Sequence, residues 1–342
     1  VSSLQDPSFS FGYFISPVET RVGPQRAKFS LSQMFPWFGT LKARGDAAAL
    51  MAEAKFQSFI DERNKLYYKV AAAYYPIFEL EKVIAIEKEN LEILDSYQAI
   101  ARSNFRNNTS PMVDVLRVEI LREDAMTNLE ILDKKRKPLV TAFNKMLNRE
   151  PDETVDMDSE AGVDSTAPSF PANYRRDSLL TGHPALNALD LMVRSSEAAE
   201  VSARKQGLPK IGAGLDYVIV GEGPLAAADN GRDVLMPMVS LSIPIFRKKY
   251  NASVRAAQLS REQFRLQKKE VANTLESEYE MARFELEQQR ELLELYRRQV
   301  QTTEQSLSLL YTAYGNSGRD FEEVLRMQQQ LLKYEKLAAA AE

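Results

Sequence analysis

Apolar residues recur with two different periods along this 342-residue chain. Over two long segments the steps between them alternate between three and four, which is the period of a helix in a coiled coil. One segment extends from Leu66 to Phe105, and the other contains the positions Leu275, Tyr279, Ala282, Leu286, Gln289, Leu293, Tyr296, Val300, Thr303, Leu307, Leu310 and Tyr314. The pattern therefore predicts two long helices with equivalent buried seams.

Turn-forming residues follow both long helices, at Asn107–Pro111 and at Gly315–Gly318. A second helical pattern comes after each turn, from 112 to 147 and from 321 to the end of the chain. Each half of the chain is therefore predicted to form a long helical hairpin. Pro76 lies inside the first long helix and is expected to bend or break it.

Ahead of each hairpin the apolar period changes to two. Phe9, Phe11 and Tyr13 alternate with Ser10 and Gly12. The same alternation continues at Phe29 and Leu31, at the odd positions from Ile211 to Ile219, and at Val239, Leu241, Ile243 and Ile245. It predicts two pairs of strands, each with one apolar face and one small or polar face. The strands have the length of tilted membrane strands.

These strands fit either a soluble four-stranded sheet packed on the helices or a membrane sheet. The membrane sheet is favoured because the long helices use their apolar stripes on each other, which leaves nothing evident to cover the strands. Four strands cannot close a barrel, and open edges in lipid would leave backbone groups unpaired. Several copies could close one together, since membrane barrels begin at about eight strands.

The repeated order of elements divides the chain into two similar halves joined by a segment rich in Asp, Ser, Pro and Gly. The predicted boundaries are a first repeat at 1–148 (strand pair 7–35, hairpin 38–148), an irregular linker at 149–183, and a second repeat at 184–342 (helix 184–206, strand pair 208–246, hairpin 247–342). The polar start of the chain, already close to a strand, suggests that the natural N-terminus lies upstream. Targeting signals therefore cannot be read from this sequence.

Composition excludes several classes of function. The net charge is only −4, so no global field favours nucleic acid. Without cysteine and with the single histidine His183, the chain cannot form disulfides, thiolate sites or a multi-histidine metal site. Acidic pairs lie on solvated helix faces, with no nucleophile or glycine-rich loop near them. We therefore expect no enzyme activity, no catalytic residues, no cofactor and no metal site. The chain also has no run of 18 apolar residues, so no membrane-spanning helix is expected.

The duplicated order of strand, strand, long helix, turn and return helix resembles the TolC outer-membrane efflux family. Two motifs add to the resemblance: Ser240–Phe246 entering a helix, and His183–Leu186 opening the helix that leads to Leu208–Pro209. The family usually has Asn-Pro where this chain has His-Pro. The resemblance implies a homotrimer with a twelve-stranded membrane β-barrel and an α-helical barrel. It also implies that the barrel lies in the outer membrane and the helices in the periplasm.

The resemblance implies a passive exit duct that exports small molecules, drugs, metal ions or proteins. Its partners would be a periplasmic adaptor (membrane fusion) protein, an inner-membrane RND or ABC transporter, and outer-membrane lipid. The alternative is a soluble periplasmic coiled-coil adaptor or scaffold. Such adaptors have a single hairpin with small flanking β domains, whereas this chain has two equivalent hairpins. The walls of a duct carry little substrate chemistry, so the exported substrate cannot be read from the sequence.

The resemblance also points to residues at the hairpin tips, where the family's tunnel closes. In the family's best-known member an Asp after the first turn bonds a Tyr before the second turn, and an Arg just past that turn holds a neighbour. The matching residues here are Asp114, Tyr314 and Arg319. We therefore expect these three to hold the entrance shut. The alternative is that Tyr314 is an ordinary seam residue and the two charges are solvated.

An acidic ring at the family's entrance is matched only in part. Glu323 matches the first acidic position, but Arg326 stands at the second. Asp320 and Glu322 are expected to add negative charge to the ring. The alternative is that all three acids are exposed residues at a helix start, where the helix dipole favours them.

Overall fold

The computed structural model describes residues 3–156, 180–224, 228–317 and 321–342, and for 315–317 only the backbone. Their elements, in chain order, are β1 (Ser8–Val18), β2 (Gln25–Phe35), α1 (Thr40–Arg106), α2 (Met112–Met146), α3 (Pro184–Gln206), β3 (Lys210–Val220), β4 (Val234–Ser242), α4 (Lys248–Ser317) and α5 (Phe321–Ala341). The chain is therefore mainly helical with one small antiparallel sheet, as predicted. Each half contains two strands followed by a long helix and a shorter one.

The four strands form one antiparallel sheet in the order β1-β2-β3-β4. Phe11 on β1 pairs with Phe29, which pairs with Tyr217, which pairs with Leu235 on β4. Because side chains alternate between the faces of a strand, this register gathers the odd-numbered apolar residues of all four strands on one face. The predicted alternation is thus present in the folded sheet.

The opposite face of the sheet is more polar. The carboxylate of Asp216 is fully buried and pairs with the ammonium of Lys28 across the strands at 2.5 Å. The hydroxyls of Ser8 and Ser32 lie 2.7 Å apart. Methionines and glycines occupy several of the remaining positions on this face. The sheet therefore has one face suited to an apolar medium and one suited to water.

The chain forms two compact units, one from 1–61 with 175–274 and the other from 62–174 with 275–342. The first unit contains the sheet, α3 and the first parts of α1 and α4. In it, α3 is joined to α4 by polar contacts of the buried Glu200, whose carboxylate accepts from Arg261 and Gln258 at 3.0 Å each. The ring nitrogen of His183 accepts from the Ala185 amide and caps α3, so this histidine is a helix N-terminal residue.

The second unit contains α2, α5 and the adjoining parts of α1 and α4. The predicted seam of α1 is buried here at Ile77, Leu80, Ile84 and Leu94. The helix continues through Pro76 without a break, and a bend at this residue stays a prediction. A proline removes one backbone hydrogen bond, whereas the buried residues just beyond it anchor the helix to its neighbours.

The first turn lies where the sequence predicts it. Asn108 adopts a left-handed conformation (φ 59°) between α1 and α2. At the second turn, α4 continues to Ser317, farther than predicted. The rest of that turn, 318–320, lies outside the described residues. So does most of the predicted linker, since 157–179 are not described.

Candidate functional site

An aromatic cluster joins the ends of the two hairpins in the second unit. The ring of Phe321, at the start of α5, stacks on Tyr314 with centroids 4.7 Å apart and meets Tyr97 edge-on at 6.1 Å. Tyr97 also stacks on Tyr311 at 5.9 Å. This tip cluster comprises the buried residues Leu94, Tyr97, Ala101, Val115, Val118, Ala125, Tyr314, Phe321, Val324 and Leu325. It holds all four helices of the unit together near their turns.

Tyr314 lies in this tip cluster and is also hydrogen-bonded. The side-chain amide of Asn104 donates to the Tyr314 hydroxyl at 2.9 Å. The backbone carbonyl of Asn104 accepts from both the backbone N–H and the hydroxyl of Thr109, each at 2.9 Å. Asn104 therefore connects Tyr314 of the second hairpin to the turn of the first.

Asp114 lies buried at the start of α2 and interacts with Arg117 at 3.7 Å. Burial raises the pKa of the Asp114 carboxyl, the Arg117 charge opposes that rise, and the charge of Glu322 adds to it. Arg319 lies outside the described residues. The structure thus places Asp114 and Tyr314 in the same tip but gives each a different partner, so the latch of Asp114, Tyr314 and Arg319 stays a prediction.

Two of the acidic residues predicted for the entrance are paired with arginines. Glu322 lies 2.9 Å from the guanidinium of Arg117, which belongs to the other hairpin. Glu323 pairs with Arg326 one turn along the same helix. Asp320 lies outside the described residues. Each pair offsets the negative charge of its carboxylate, so the acidic ring also stays a prediction.

Sequence reasoning missed three residues of the tip: Asn104, Tyr97 and Arg117. Tyr97 precedes a seam position instead of occupying one, so the heptad pattern did not select it. Burial, together with the neighbouring Tyr311, raises the pKa of Tyr97 to about 12, so its hydroxyl is neutral at physiological pH. The available signal was the pair of tyrosines, Tyr97 and Tyr311, each next to a seam residue close to its turn.

The apolar face of the sheet is the second feature with functional meaning. Val239 is 85% exposed and Ile15 is 92% exposed. Other exposed apolar residues of the same face are Phe9, Phe11, Tyr13, Leu31, Leu215, Tyr217, Leu235 and Leu241. Both edge strands, β1 and β4, have a single neighbour in this sheet. Apolar patches this large are typical of surfaces that contact another protein or a membrane.

Other kinds of site find no support in the described ranges. No group of three or more His, Asp or Glu side chains there could hold a metal ion. None of the helices in these ranges is long and apolar enough to cross a membrane.

The acidic side chain of Glu335 in α5 makes stability depend on pH. Burial, together with the nearby charges of Glu89 and Glu304, raises its pKa to about 7. The folded state therefore holds a proton that the unfolded state, with its ordinary pKa near 4.5, has already released. Stability from this group is present below pH 4.5 and is lost as the pH rises to about 7.

We expect Glu335→Gln to remove that loss, because the neutral amide needs no proton. Thermal unfolding measured from pH 4.5 to pH 8 should show a higher melting temperature for the variant than for the parent at pH 8, and little difference at pH 4.5. The exposed Glu92 on α1 provides the control, and Glu92→Gln should leave the profile unchanged. Parallel profiles for Glu335→Gln and the parent protein would contradict this account.

No protein-family model matches the chain, and no curated protein matches it in sequence. Solved structures do match its fold. The outer membrane protein VceC from Vibrio cholerae is similar with a TM-score of 0.77 and 14% identity, over 98% of this chain and 82% of that one. CusC is similar with a TM-score of 0.79 and 15% identity, over 98% and 78%. The open-state MtrE outer membrane channel of Neisseria gonorrhoeae is similar with a TM-score of 0.74 and 18% identity, over 100% and 77%. The chain therefore has the fold of the TolC-type outer-membrane channels, as the sequence predicted.

Proposed function

We propose that this chain is one protomer of a homotrimeric outer-membrane channel that serves as the passive exit duct of a tripartite efflux pump or a type I secretion system. In this proposal the four strands of each chain contribute to one twelve-stranded barrel in the outer membrane. The helices project into the periplasm and form a tunnel. A periplasmic adaptor protein and an inner-membrane RND or ABC transporter load the substrate.

The observation that carries the proposal is the uncovered apolar face of the sheet. In water, such a face would cost on the order of 25 cal/mol for each Å² left exposed. In lipid it is already solvated, and the two open edges are satisfied when β1 of one copy pairs with β4 of the next. A membrane and a ring of identical chains therefore account for the face and the edges together.

The polar face of the sheet supports a water-filled interior. The pair of Lys28 and Asp216 would be costly against lipid, but it is readily accommodated on the wall of an aqueous channel. Lipid-facing and lumen-facing residues alternate in membrane barrels in this way. This geometry supports the proposed duct, since a duct needs a wall and an entrance and no reactive group.

The soluble adaptor remains the second candidate, because adaptors also use long helical hairpins. An adaptor would need a partner protein over the apolar face of the sheet. The duplicated strand pairs and the fold shared with outer-membrane channels favour the duct.

The proposed function is tested by adding the purified full-length protein to planar lipid bilayers. We expect discrete current steps of uniform size, because each inserted trimer contributes one pore. The proposal is contradicted if the protein is folded, as measured by circular dichroism, but gives no current steps. The same must hold for a variant whose tip contacts have been removed, so that a closed entrance is not the cause.

The tip latch gives a more specific prediction. Tyr314→Phe removes the hydroxyl that accepts from Asn104, and Arg319→Ala removes the cation of the predicted latch. Together they should raise the single-channel conductance or the open fraction, because the hydroxyl bond alone is worth about 1 kcal/mol. Tyr311→Phe, on the exposed side of the same helix turn, is the matched control. Identical conductance in the double variant and the parent channel would rule out a latch at these residues.

A further inference from the structure

The two hairpins carry the same short motif just after their turns. The motif is an acid followed by Val, Leu and Arg, at 114–117 in α2 and at 323–326 in α5. Both valines, Val115 and Val324, are buried in the tip cluster. Side chains three residues apart are neighbours on a helix, so each motif allows its arginine to pair with its own acid.

The arginines of the two motifs nevertheless have different partners. Arg326 pairs with Glu323 of its own motif. The guanidinium of Arg117 lies 3.7 Å from the carboxylate of Asp114 in its own motif, but only 2.9 Å from that of Glu322 at the start of α5. Arg117 therefore connects the first hairpin to the second, whereas its counterpart in the second hairpin pairs within its own helix.

Arg117 is also the cation that joins the hairpins closest to their turns, within the described part of the chain. The next arginine of α2, Arg122, pairs at 2.5 Å with Asp95 of α1, which belongs to the same hairpin. An ion pair between the hairpins occurs again farther from the turns, where Lys336 of α5 binds Glu87 of α1. The position of Arg117 therefore suits it to act on the tip itself.

Arg117 lies between two carboxylates that would otherwise repel each other. Asp114 is 7% exposed, and a buried carboxylate without a cation beside it is costly. Burial raises the pKa of the Asp114 carboxyl, and the charge of Arg117 opposes that rise. Glu322 belongs to the other hairpin and raises the same pKa, which shows that the two acids act on each other. One guanidinium is therefore shared by an acid from each hairpin.

We propose that Arg117 is the positioning residue that holds the two hairpins together at the entrance of the proposed duct, because Asp114 of the first hairpin and Glu322 of the second share its charge. This role rests on the proposed function of the chain as a duct. It uses a different cation from the predicted latch of Asp114, Tyr314 and Arg319. It also assigns Glu322 to holding the entrance together instead of attracting cations to it.

Reversal of the charges tests this role with the full-length protein in planar bilayers. Arg117→Glu places three carboxylates where the hairpins meet. We expect its open fraction to be at least about fivefold that of the parent, because a repulsion replaces the attraction in each copy. The double variant Arg117→Glu, Glu322→Arg again places one cation between two carboxylates, so its open fraction should return to within about twofold of the parent.

Two further variants serve as control and as support. Arg122→Glu reverses a charge on the same helix but breaks a pair within one hairpin, so it should leave the open fraction unchanged. Glu322→Gln changes a side chain that is 71% exposed, so the fold does not depend on it. We expect Glu322→Gln to raise the open fraction by about twofold, because it removes the attraction without adding a repulsion.

Equal open fractions in the parent, Arg117→Glu, Glu322→Gln and Arg122→Glu would overturn this role. A double variant that stays as open as Arg117→Glu would also overturn it, because lost packing would then explain the opening, whereas only a charge pair is rescued by exchanging its charges. Failure of the duct looks different. In that case the current steps are absent from the parent and from every variant, and the role of Arg117 at an entrance fails with the duct.

Discussion

Val239→Arg is expected to prevent most of the protein from entering a membrane. Val239 lies in the middle of β4 on the apolar face and is 85% exposed. In lipid, an arginine near the midplane of a membrane strand costs about 2–4 kcal/mol. The proposed trimer would carry that cost in each of its three copies. Insertion into lipid vesicles, followed by flotation of the vesicles on a density gradient, measures the loss.

The same substitution distinguishes the two candidate functions by the size of its effect. On a soluble sheet, an exposed valine replaced by arginine changes stability by no more than about 0.5 kcal/mol. Met238→Arg is the matched control, because it places the same charge one residue away on the polar face. We expect Met238→Arg to insert nearly as well as the parent. Equal insertion of Val239→Arg and the parent would show that this face does not meet lipid.

Phe321→Ala is expected to loosen the tip more than any other single change. Phe321 is 3% exposed and its ring contacts Tyr314 and Tyr97. Truncating a buried phenylalanine to alanine typically costs about 3–5 kcal/mol, because contacts are lost and a cavity is left. We expect a lower unfolding midpoint in detergent and a larger open fraction in bilayer recordings, since this ring connects the two hairpins.

Met112→Ala is the control for the tip. Met112 lies at the start of α2 close to the first turn and is 44% exposed, so its truncation should cost less than about 1 kcal/mol. If Phe321→Ala and Met112→Ala shift the unfolding midpoint equally, the aromatic cluster does not hold the tip together.

Most of the fold could be predicted from the alternation in the strands and the heptads in the helices. Apolar residues at every second position of a strand lie on one face of the sheet. The alternation therefore predicts that Phe11 and Phe29 share the apolar face, and the structure pairs them across β1 and β2. The buried part of the α1 seam follows from the heptads in the same way, whereas in α4 only Thr303 and Tyr314 of the predicted seam are buried, and Ala282 and Gln289 are exposed. Pro76 was harder to judge, because tertiary packing of Ile77 and Leu80 compensates for the missing hydrogen bond, and packing is not visible in a local pattern.

The tip was predicted less completely than the fold. Sequence order placed Tyr314 and Asp114 near the turns, but it could not show that Asn104 binds the Tyr314 hydroxyl. It also could not show that Arg117 on one hairpin reaches Glu322 on the other. Both contacts join residues that are far apart in the chain. They depend on how each helix is rotated about its axis. The heptad predicts which face of the helix is buried, but not which side chains meet across that face.

The measurement that tests the account most directly is the mass of the full-length protein extracted from cell membranes in mild detergent. Multi-angle light scattering with correction for bound detergent gives the protein mass. The account predicts a particle of three chains, each contributing the 38.7 kDa of this sequence and any additional residues, that precipitates when detergent is removed. A monomer or dimer that stays in the aqueous fraction without detergent would contradict the shared barrel, and the adaptor would become the better explanation.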